Sequence, residues 1–357
     1  MTQPTNLPTY MQTILFTNNI SEAITSLVDG MNPSTVHIIT DSNVTRDVLP
    51  TLSLPYPVIV TDPGDTAKNL QSLSQIWHSL IKGGATRRSV VINIGGGVVT
   101  DMGGFAAATF KRGVRFINVP TTLLSAVDAA VGGKTGINFE GLKNEIGAFA
   151  PADAVVISTS TFASLPSAEL LSGYAEMLKH GLLSSESDYR ELLGFDILNA
   201  DLDLLLPLLE KSVKVKERIV EEDPREQGIR RALNLGHTAG HAFESLAMER
   251  NTPVPHGYAV AWGILVEMIL SNITRGFPSA ELYRYATYLK DHGYGSPAIT
   301  CKDYPRLLEL MRHDKKNDTA NHINFTLLDS PGHPVIDCTA SEPVIKEALD
   351  IFCDLLG

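Results

Sequence analysis

The first 165 residues alternate short runs of β-branched residues with longer segments of helical apolar spacing. Five runs are predicted as strands: Val36–Thr40, Pro57–Val60, Ser89–Ile94, Phe116–Val119 and Ala154–Ser158. Short apolar strands that alternate with helices are typical of a parallel sheet covered by helices on both faces. The alternation therefore predicts an α/β domain with a mainly parallel sheet.

The pattern changes near Leu165, where helical apolar spacing takes over and continues through Leu202–Val220 and Ala259–Ile273. Only Ile323–Leu328 resembles a strand in this half, and we predict a short late hairpin there. A chain of 357 residues exceeds a comfortable single core. We predict an α/β domain over 1–165, a mainly α-helical domain over 166–357, and an active site in the cleft between them.

Composition excludes some classes of partner. The net charge of −11 argues against a broad nucleic-acid surface, although local cations can still bind an anionic small molecule. Three cysteines without a CxxC pair indicate reduced thiols and a cytoplasmic setting. Met1–Tyr10 lacks the basic and apolar regions of a signal peptide, and no stretch is predicted to span a bilayer. We expect a soluble protein without a membrane partner.

The turn Gly95–Gly97 follows a predicted buried strand and precedes a helix. Glycine lets the backbone approach a pyrophosphate, and the start of the helix offers free N–H groups. The GxGxxG fingerprint is absent, so an ordinary strand-to-helix turn remains an alternative. Asp41, Asp65 and Lys68 are candidates for contacts with ribose or adenine, but each also fits a turn or a helix cap. The turn predicts a dinucleotide site.

A carboxylate and several imidazoles stand in three separate helical segments. Glu176 lies in the first segment, His237 and His241 in the second, and His256 in the third. Three protein ligands with an open position suit a catalytic divalent metal ion. His237 and His241 are four residues apart and share a helix face, so spacing alone allows either histidine as a ligand.

Several cations and one asparagine stand in segments rich in glycine and small residues: Arg112, Lys134, Lys143, Asn144, Lys179, Lys216 and Arg230. Fixed positive charges in an acidic protein predict a substrate with carboxylate and phosphate groups. Lys179 also fits a solvated lysine, and the Arg87–Arg88 pair and Lys290 fit ordinary surface cations. Lys134 lies in a segment that superficially resembles a phosphate loop, but the GxxxxGK spacing is absent, which argues against nucleotide triphosphate hydrolysis.

Longer motifs between Asp41 and Lys316 resemble the 3-dehydroquinate synthases of the sugar phosphate cyclase superfamily. The motifs are Gly95–Asp101, Lys111–Phe116, Val119–Leu124, Asp128–Thr135, Leu142–Phe149, Ala175–Lys179, Leu233–His237 and Asp314–Lys316. The resemblance implies a homodimeric cytoplasmic enzyme of the shikimate pathway that uses NAD and a divalent metal, zinc or cobalt. Its substrate would be 3-deoxy-arabino-heptulosonate 7-phosphate, and its products 3-dehydroquinate and phosphate.

The resemblance also implies residue roles. The metal ligands match Glu176, His237 and His256, and His241 lies beside the substrate. The NAD positions match Asp41, Asp65, Lys68, Gly96, Gly97, Val98, Asp101, Thr121, Thr122 and Lys143. The substrate positions match Arg112, Asp128, Lys134, Asn144, Lys179, Lys216, Arg230, Asn234, His241 and one of Lys315 and Lys316. Of these, the expected catalytic residues are Lys134, Asn144, Lys179, Lys216, Arg230, Asn234 and His241.

The implied mechanism is an internal redox cycle with transient oxidation by NAD, β-elimination of phosphate, re-reduction and an intramolecular aldol closure. Two other activities share the metal and the nucleotide: a sister sugar phosphate cyclase and a metal-dependent polyol dehydrogenase. Four residues are of the dehydroquinate type and favour a 3-dehydroquinate synthase over a sister cyclase: Lys216, Arg230, Asn234 and His241. Asp65 departs from the glutamate that is frequent in the family, but a shorter carboxylate still reaches a ribose.

Overall fold

The computed structural model describes residues 12–313 and 323–357. The chain divides into two compact units, Met1–Ser164 and Leu165–Gly357. The strands of the first unit are β1 Thr13–Phe16, β2 Val36–Asp41, β3 Val58–Thr61, β4 Val90–Gly95, β5 Arg115–Pro120, β6 Lys134–Phe139, β7 Leu142–Phe149 and β8 Ala154–Ile157. Its helices are α1 Ile20–Met31, α2 Ser42–Asp47, α3 Leu49–Leu52, α4 Leu70–Lys82 and α5 Gly97–Thr109, with a π-helical turn at Ser125–Ala129.

Six strands form one parallel sheet in the order β1-β8-β5-β4-β2-β3. The prediction of a mainly parallel sheet is confirmed. Strand β4 lies inside the sheet and is buried along its whole length, whereas the edge strand β3 leaves Val58 and Val60 39% and 50% exposed. An inner strand is covered by helices on both faces and flanked on both sides, which explains its unbroken apolar sequence.

The chain changes direction across the sheet between β2 and β4. Strand β2 leads to β3 on one side, and β4 leads through α5 to β5 on the other side. In open parallel sheets, ligands bind in the crevice at the carboxyl ends of the strands where such a reversal occurs. Asp41 ends β2 and Gly95 ends β4, so both residues lie at this crevice.

A two-stranded antiparallel hairpin, β6–β7, was not anticipated from the sequence. Gly136 and Gly147 face each other across it, and a Cβ on Gly136 would lie 2.6 Å from the Ile146 carbonyl oxygen. The two backbones therefore approach closely where side chains are absent. Glycine and charged residues interrupt the β-branched pattern here, which is why the sequence predicts no strand in this segment.

The second unit is mainly helical, as predicted. Its helices are α6 Ser167–Ser184, α7 Glu186–Leu193, α8 Leu202–Glu222, α9 His237–Glu249, α10 His256–Arg275, α11 Ser279–Asp291, α12 Tyr304–Arg312 and α13 Glu342–Leu356. The antiparallel strands β9 Asn324–Ser330 and β10 His333–Thr339 form the predicted late hairpin.

Helix α10 packs against α6, α9, α13 and β9 and forms the centre of the second unit. We expected no stretch to be long and apolar enough to span a bilayer. By length and composition α10 is long and apolar enough, so the expectation is wrong for this helix. However, 78% of the apolar stretch of α10 is buried inside the protein. A helix surrounded by other elements has to be apolar on every face, so α10 has the composition of a core helix.

Candidate metal and cofactor sites

Three helices of the second unit bring one carboxylate and two imidazoles together. Glu176 is fully buried in α6, while His237 and His256 are the first residues of α9 and α10. The Nε2 atoms of His237 and His256 lie 3.6 and 3.7 Å from Glu176 Oε1. One donor atom from each residue lies within 4.8 Å of the others, a spacing at which a single ion can be shared.

Glycines set the spacing of these three helices. A Cβ on Gly257 would lie 1.9 Å from the carbonyl oxygen of Ser172 in α6, and a Cβ on Gly263 would lie 1.9 Å from that of Gly236 before α9. Direct backbone contact leaves no room for any side chain at these crossings. The positions of the carboxylate and imidazoles therefore depend on backbone contact between α6, α9 and α10.

Both imidazoles are oriented by acceptors on their other nitrogen. His237 Nδ1 lies 3.1 Å from the Leu235 carbonyl oxygen, and His256 Nδ1 lies 3.2 Å from Glu244 Oε2. A carbonyl or carboxylate oxygen only accepts, so Nδ1 carries a proton, and the neutral form of each ring would offer its Nε2 lone pair to an ion bound beside Glu176. This is the arrangement of metal-binding histidines, and the donor set fits a divalent ion. Glu244 was missed in the sequence because nothing in its local pattern marks it.

The same carboxylates act on the protonation of His256. Removal of the ring from water would by itself lower the pKa of this imidazole, but the neighbouring carboxylates of Glu176 and Glu244 outweigh that effect and raise the pKa to about 10. A positive charge is thus favoured between two carboxylates. A divalent ion supplies such a charge when it binds.

His241 and Lys179 flank this group. The His241 ring centroid lies 5.3 Å from that of His237 and 6.0 Å from that of His256, and His241 is not among the three residues whose donor atoms meet. Lys179 is buried and its Nζ pairs with Glu176 Oε2. The reading of Lys179 as a solvated lysine is therefore wrong, because a buried ammonium next to the proposed ligand has no access to bulk water.

Two further predicted cations of the second unit, Lys216 and Arg230, are buried. Arg230 Nη1 donates to the Pro224 carbonyl oxygen at 2.8 Å. Asp223 fixes this segment, since its Oδ2 accepts the N–H groups of Gly228 and Arg230 at 2.6 and 3.2 Å. Buried cations on ordered backbone are suited to hold an anion in a fixed orientation.

Asn234 and the pair Lys315 and Lys316 are further predicted substrate residues of this unit. Asn234 Nδ2 donates to Glu226 Oε1 at 3.1 Å. Lys315 and Lys316 lie outside the described residues.

In the first unit, the glycine turn meets the end of β5. Thr121 donates its N–H to the Gly95 carbonyl oxygen at 3.0 Å, and a Cβ on Gly96 would lie 3.0 Å from Thr122 Cγ2. Gly96 precedes α5 and provides no side-chain cap, so N–H groups at the helix start are available to a phosphate. Gly97, Val98 and Asp101 follow within the first turns of α5.

Asp41 has the helix-cap role that its sequence position allowed. Its Oδ1 accepts the Val44 N–H at the start of α2 at 2.9 Å. The ribose contact of Asp41 stays a prediction. Among the remaining predicted residues of this unit, Arg112, Lys134 and Lys143 are exposed, and Asp128 is half-buried in the π-helical turn.

A hydrogen-bond network joins predicted NAD and substrate residues. Lys68 Nζ lies 2.6 Å from Asp101 Oδ2 and also donates to Asn144 Oδ1. Asn138, in β6, donates from Nδ2 to Asp65 Oδ2 at 3.2 Å, and its Oδ1 accepts the Asn144 N–H at 3.0 Å. Sequence reasoning missed Asn138, although it follows the Gly-Lys-Thr segment by three residues.

The sequence matches two family models, 3-dehydroquinate synthase N-terminal over residues 58–172 and 3-dehydroquinate synthase C-terminal over residues 173–317. A 3-dehydroquinate synthase of Parabacteroides distasonis is 46% identical over 351 residues, which cover 97% of this chain and 99% of that protein.

Two solved structures share the fold. A 2-deoxy-scyllo-inosose synthase in complex with carbaglucose-6-phosphate, NAD+ and Co2+ has a TM-score of 0.82 at 22% identity, covering 94% of this chain and 95% of that chain. A 2-epi-5-epi-valiolone synthase from Streptomyces hygroscopicus with NAD+ and Zn2+ has a TM-score of 0.79 at 22% identity, covering 96% and 97%. The N-terminal α/β and C-terminal helical architecture is therefore that of known NAD- and metal-binding proteins.

Proposed function

The chain belongs to the 3-dehydroquinate synthase family, and we propose on this premise that it converts 3-deoxy-arabino-heptulosonate 7-phosphate into 3-dehydroquinate and phosphate. It is an enzyme of the carbon–oxygen lyase type. The observation that carries the proposal is the group formed by Glu176, His237 and His256, whose donor atoms all lie within 4.8 Å of one another. Three ligands leave coordination positions open for substrate hydroxyls.

Three residues would bind the metal ion, and the contacts around them would orient their donor atoms. A bound divalent ion supplies Lewis acidity toward the substrate hydroxyls, and bound NAD supplies a reversible hydride acceptor. Glu176, His237 and His256 hold the ion, and the Nδ1 contacts of both histidines fix the direction of the Nε2 lone pairs. The Nζ of the buried Lys179 pairs with the second oxygen of Glu176 and so helps to orient that carboxylate.

The glycine turn and the start of α5 are proposed to bind the NAD pyrophosphate, at the sheet crevice between β2 and β4. NAD contacts are assigned to Asp41, Asp65, Lys68, Gly96, Gly97, Val98, Asp101, Thr121, Thr122 and Lys143. Because Lys68 connects Asp101 with Asn144, the network also fixes a residue proposed to bind substrate phosphate.

Substrate recognition is assigned to cations and polar residues of both units. Lys134, Asn144 and the Lys315–Lys316 segment are proposed to bind the phosphate, and Lys216 and Arg230 the carboxylate and ring hydroxyls. The remaining proposed substrate residues are Arg112, Asp128, Lys179, Asn234 and His241. The buried positions of Lys216 and Arg230 support this assignment, because buried cations on ordered backbone are suited to hold an anion in a fixed orientation.

The assembly and location are also proposed from the family. We expect a homodimer in the cytoplasm, with a sugar acid phosphate as the small-molecule partner. The three cysteines are free, which fits a reducing compartment. The net charge of −11 disfavours nucleic acid as a partner.

Phosphate release tests the proposed function. With catalytic NAD and either Zn2+ or Co2+, we expect phosphate release from 3-deoxy-arabino-heptulosonate 7-phosphate without net NADH formation, and loss of release after chelation. Sedoheptulose 7-phosphate, which lacks the carboxylate, is the matched control substrate and should release little phosphate. Release from the control alone by metal-loaded protein would instead indicate a sister cyclase.

Asn138→Ala is expected to weaken substrate and NAD binding together, by up to about tenfold each, because the side chain bonds both the Asn144 and the Asp65 segments. The substrate KM and the NAD Kd measure the two effects. Asn138→Asp keeps the acceptor for Asn144 but opposes a carboxylate to Asp65, so it should affect NAD more than substrate. An unchanged KM and Kd in the alanine variant would contradict this linkage.

A further inference from the structure

Glu267 is a fully buried carboxylate in the middle of α10, and none of the roles above uses it. Its Oε2 accepts the Gly236 N–H at 2.6 Å, and its Oε1 accepts the N–H groups of Thr238 and Ala239 at 3.2 and 3.4 Å. A buried carboxylate is costly unless hydrogen bonds compensate for the lost water. Here the compensation comes from the backbone of another helix.

The donors are the first N–H groups of α9. Gly236 precedes the helix with a φ of +81° and provides no cap of its own, so the usual side-chain acceptor at this helix start is missing. Glu267, a residue of α10, supplies this missing acceptor. Its negative charge also interacts favourably with the positive end of the α9 dipole. One carboxylate thereby bonds the residues on both sides of His237.

Glu267 and the second imidazole, that of His256, belong to the same helix α10. His256 and Glu267 are eleven residues apart, about three helical turns, and so lie on the same face of α10. Helix α10 thus provides His256 itself and the anchor for the backbone of His237. The distance between the two Nε2 atoms depends on where that anchor holds the start of α9.

We propose that Glu267 is a positioning residue of the metal site, and this inference rests on the metal assignment in the proposed function. Glu267 fixes the backbone on both sides of His237, so that Nδ1 meets the Leu235 carbonyl oxygen and Nε2 faces Glu176. Glu267 is not one of the three residues whose donor atoms meet. Its removal should therefore act on the metal affinity rather than on NAD.

The test is Glu267→Gln, which keeps the shape but replaces one acceptor oxygen with an amide group that donates toward N–H groups. We expect the Kd for Co2+, measured by competition with a chromophoric chelator, to rise about 10- to 100-fold, as for outer partners of metal ligands. The visible spectrum of bound Co2+ should shift, activity should recover partly at high metal concentration, and the NAD Kd should stay unchanged.

Glu281→Gln is the matched control. Glu281 is also a buried glutamate of the second unit, but it lies on α11, pairs with Arg190 at 2.7 Å, and is not one of the three residues whose donor atoms meet. This variant should lower the melting temperature without changing the Co2+ Kd. If Glu267→Gln behaves in the same way, the carboxylate only stabilises the fold and the inference is wrong.

Glu267→Asp covers the case in which the glutamine variant does not fold. It keeps the charge with a shorter reach, and we expect a smaller rise in the Co2+ Kd. An unchanged Kd and spectrum in a folded aspartate variant would again overturn the inference. Failure of the parent protein to bind Co2+ would overturn the metal assignment as well, whereas an active, metal-binding parent with unaffected variants would refute the role of Glu267 alone.

Discussion

His237→Ala is expected to lower kcat/KM by more than about 100-fold, beyond the usual effect of removing an outer partner of a metal ligand. The substitution removes one of the three proposed ligands and leaves Glu176 and His256 to hold the ion. Affinity for Zn2+ or Co2+ should fall with activity, because an incomplete ligand set neither retains nor orients the ion. Phosphate release and metal titration measure the two losses.

The fold of this variant should remain, since His237 is the first residue of α9 and its Nδ1 contact reaches only Leu235, two residues away in the chain. Circular dichroism and the melting temperature without metal check this expectation. His78→Ala is the matched control, because His78 is an exposed histidine on α4 in the first unit. Full activity with bound metal in His237→Ala would refute the ligand assignment.

Gly263→Ala is the second substitution from which we expect a large loss. The new Cβ would lie 1.9 Å from the Gly236 carbonyl oxygen and 2.6 Å from the Gly240 nitrogen. Both are backbone atoms, so α9 and α10 have to move apart, and overpacking of this kind costs about 1–3 kcal/mol or more. The same movement separates His237 from His256, so metal affinity should fall together with the free energy of unfolding.

Gly30→Ala provides the control for the change of residue type. Gly30 lies in helix α1, and a Cβ there would have no atom within 4 Å. Alanine favours a helix over glycine by up to about 1 kcal/mol, so this variant should be as stable as the parent or slightly more stable. Urea unfolding and Co2+ titration of both variants separate the packing effect from the propensity effect. Equal stability of Gly263→Ala and the parent would contradict the close crossing.

Periodicity predicted the architecture because the elements that define it have strong patterns. The inner strands β2, β4, β5 and β8 are mainly apolar runs between turns, and α10 is a long and largely apolar helix. The hairpin β6–β7 was missed because glycine and charged residues interrupt its pattern, and the edge strand β1 was missed because it is only four residues long. Sheet order was also beyond the local sequence, because it depends on contacts between residues far apart in the chain.

The metal site was predictable where the residue types and their spacing indicate metal ligands. The residue types at positions 176, 237 and 256 pointed to a metal. Spacing alone left His241 as an equal candidate, the family resemblance favoured His237, and the structure brings the donor atoms of that set within 4.8 Å of one another. Glu244, Glu267 and Asn138 act through contacts made across the fold, and their neighbours in sequence give no sign of them. Outer partners of a site are defined by tertiary packing and are therefore hard to find in one sequence.

The hydropathy of α10 has a consequence for biosynthesis. This largely apolar helix emerges from the ribosome well before α13, one of the elements that cover it in the folded protein. Until Glu342–Leu356 has been made and docked, the nascent chain carries an apolar surface that other hydrophobic chains or a chaperone can bind. Substitutions in α13 should therefore lower the yield of soluble enzyme in cells, even though that helix contributes no proposed ligand.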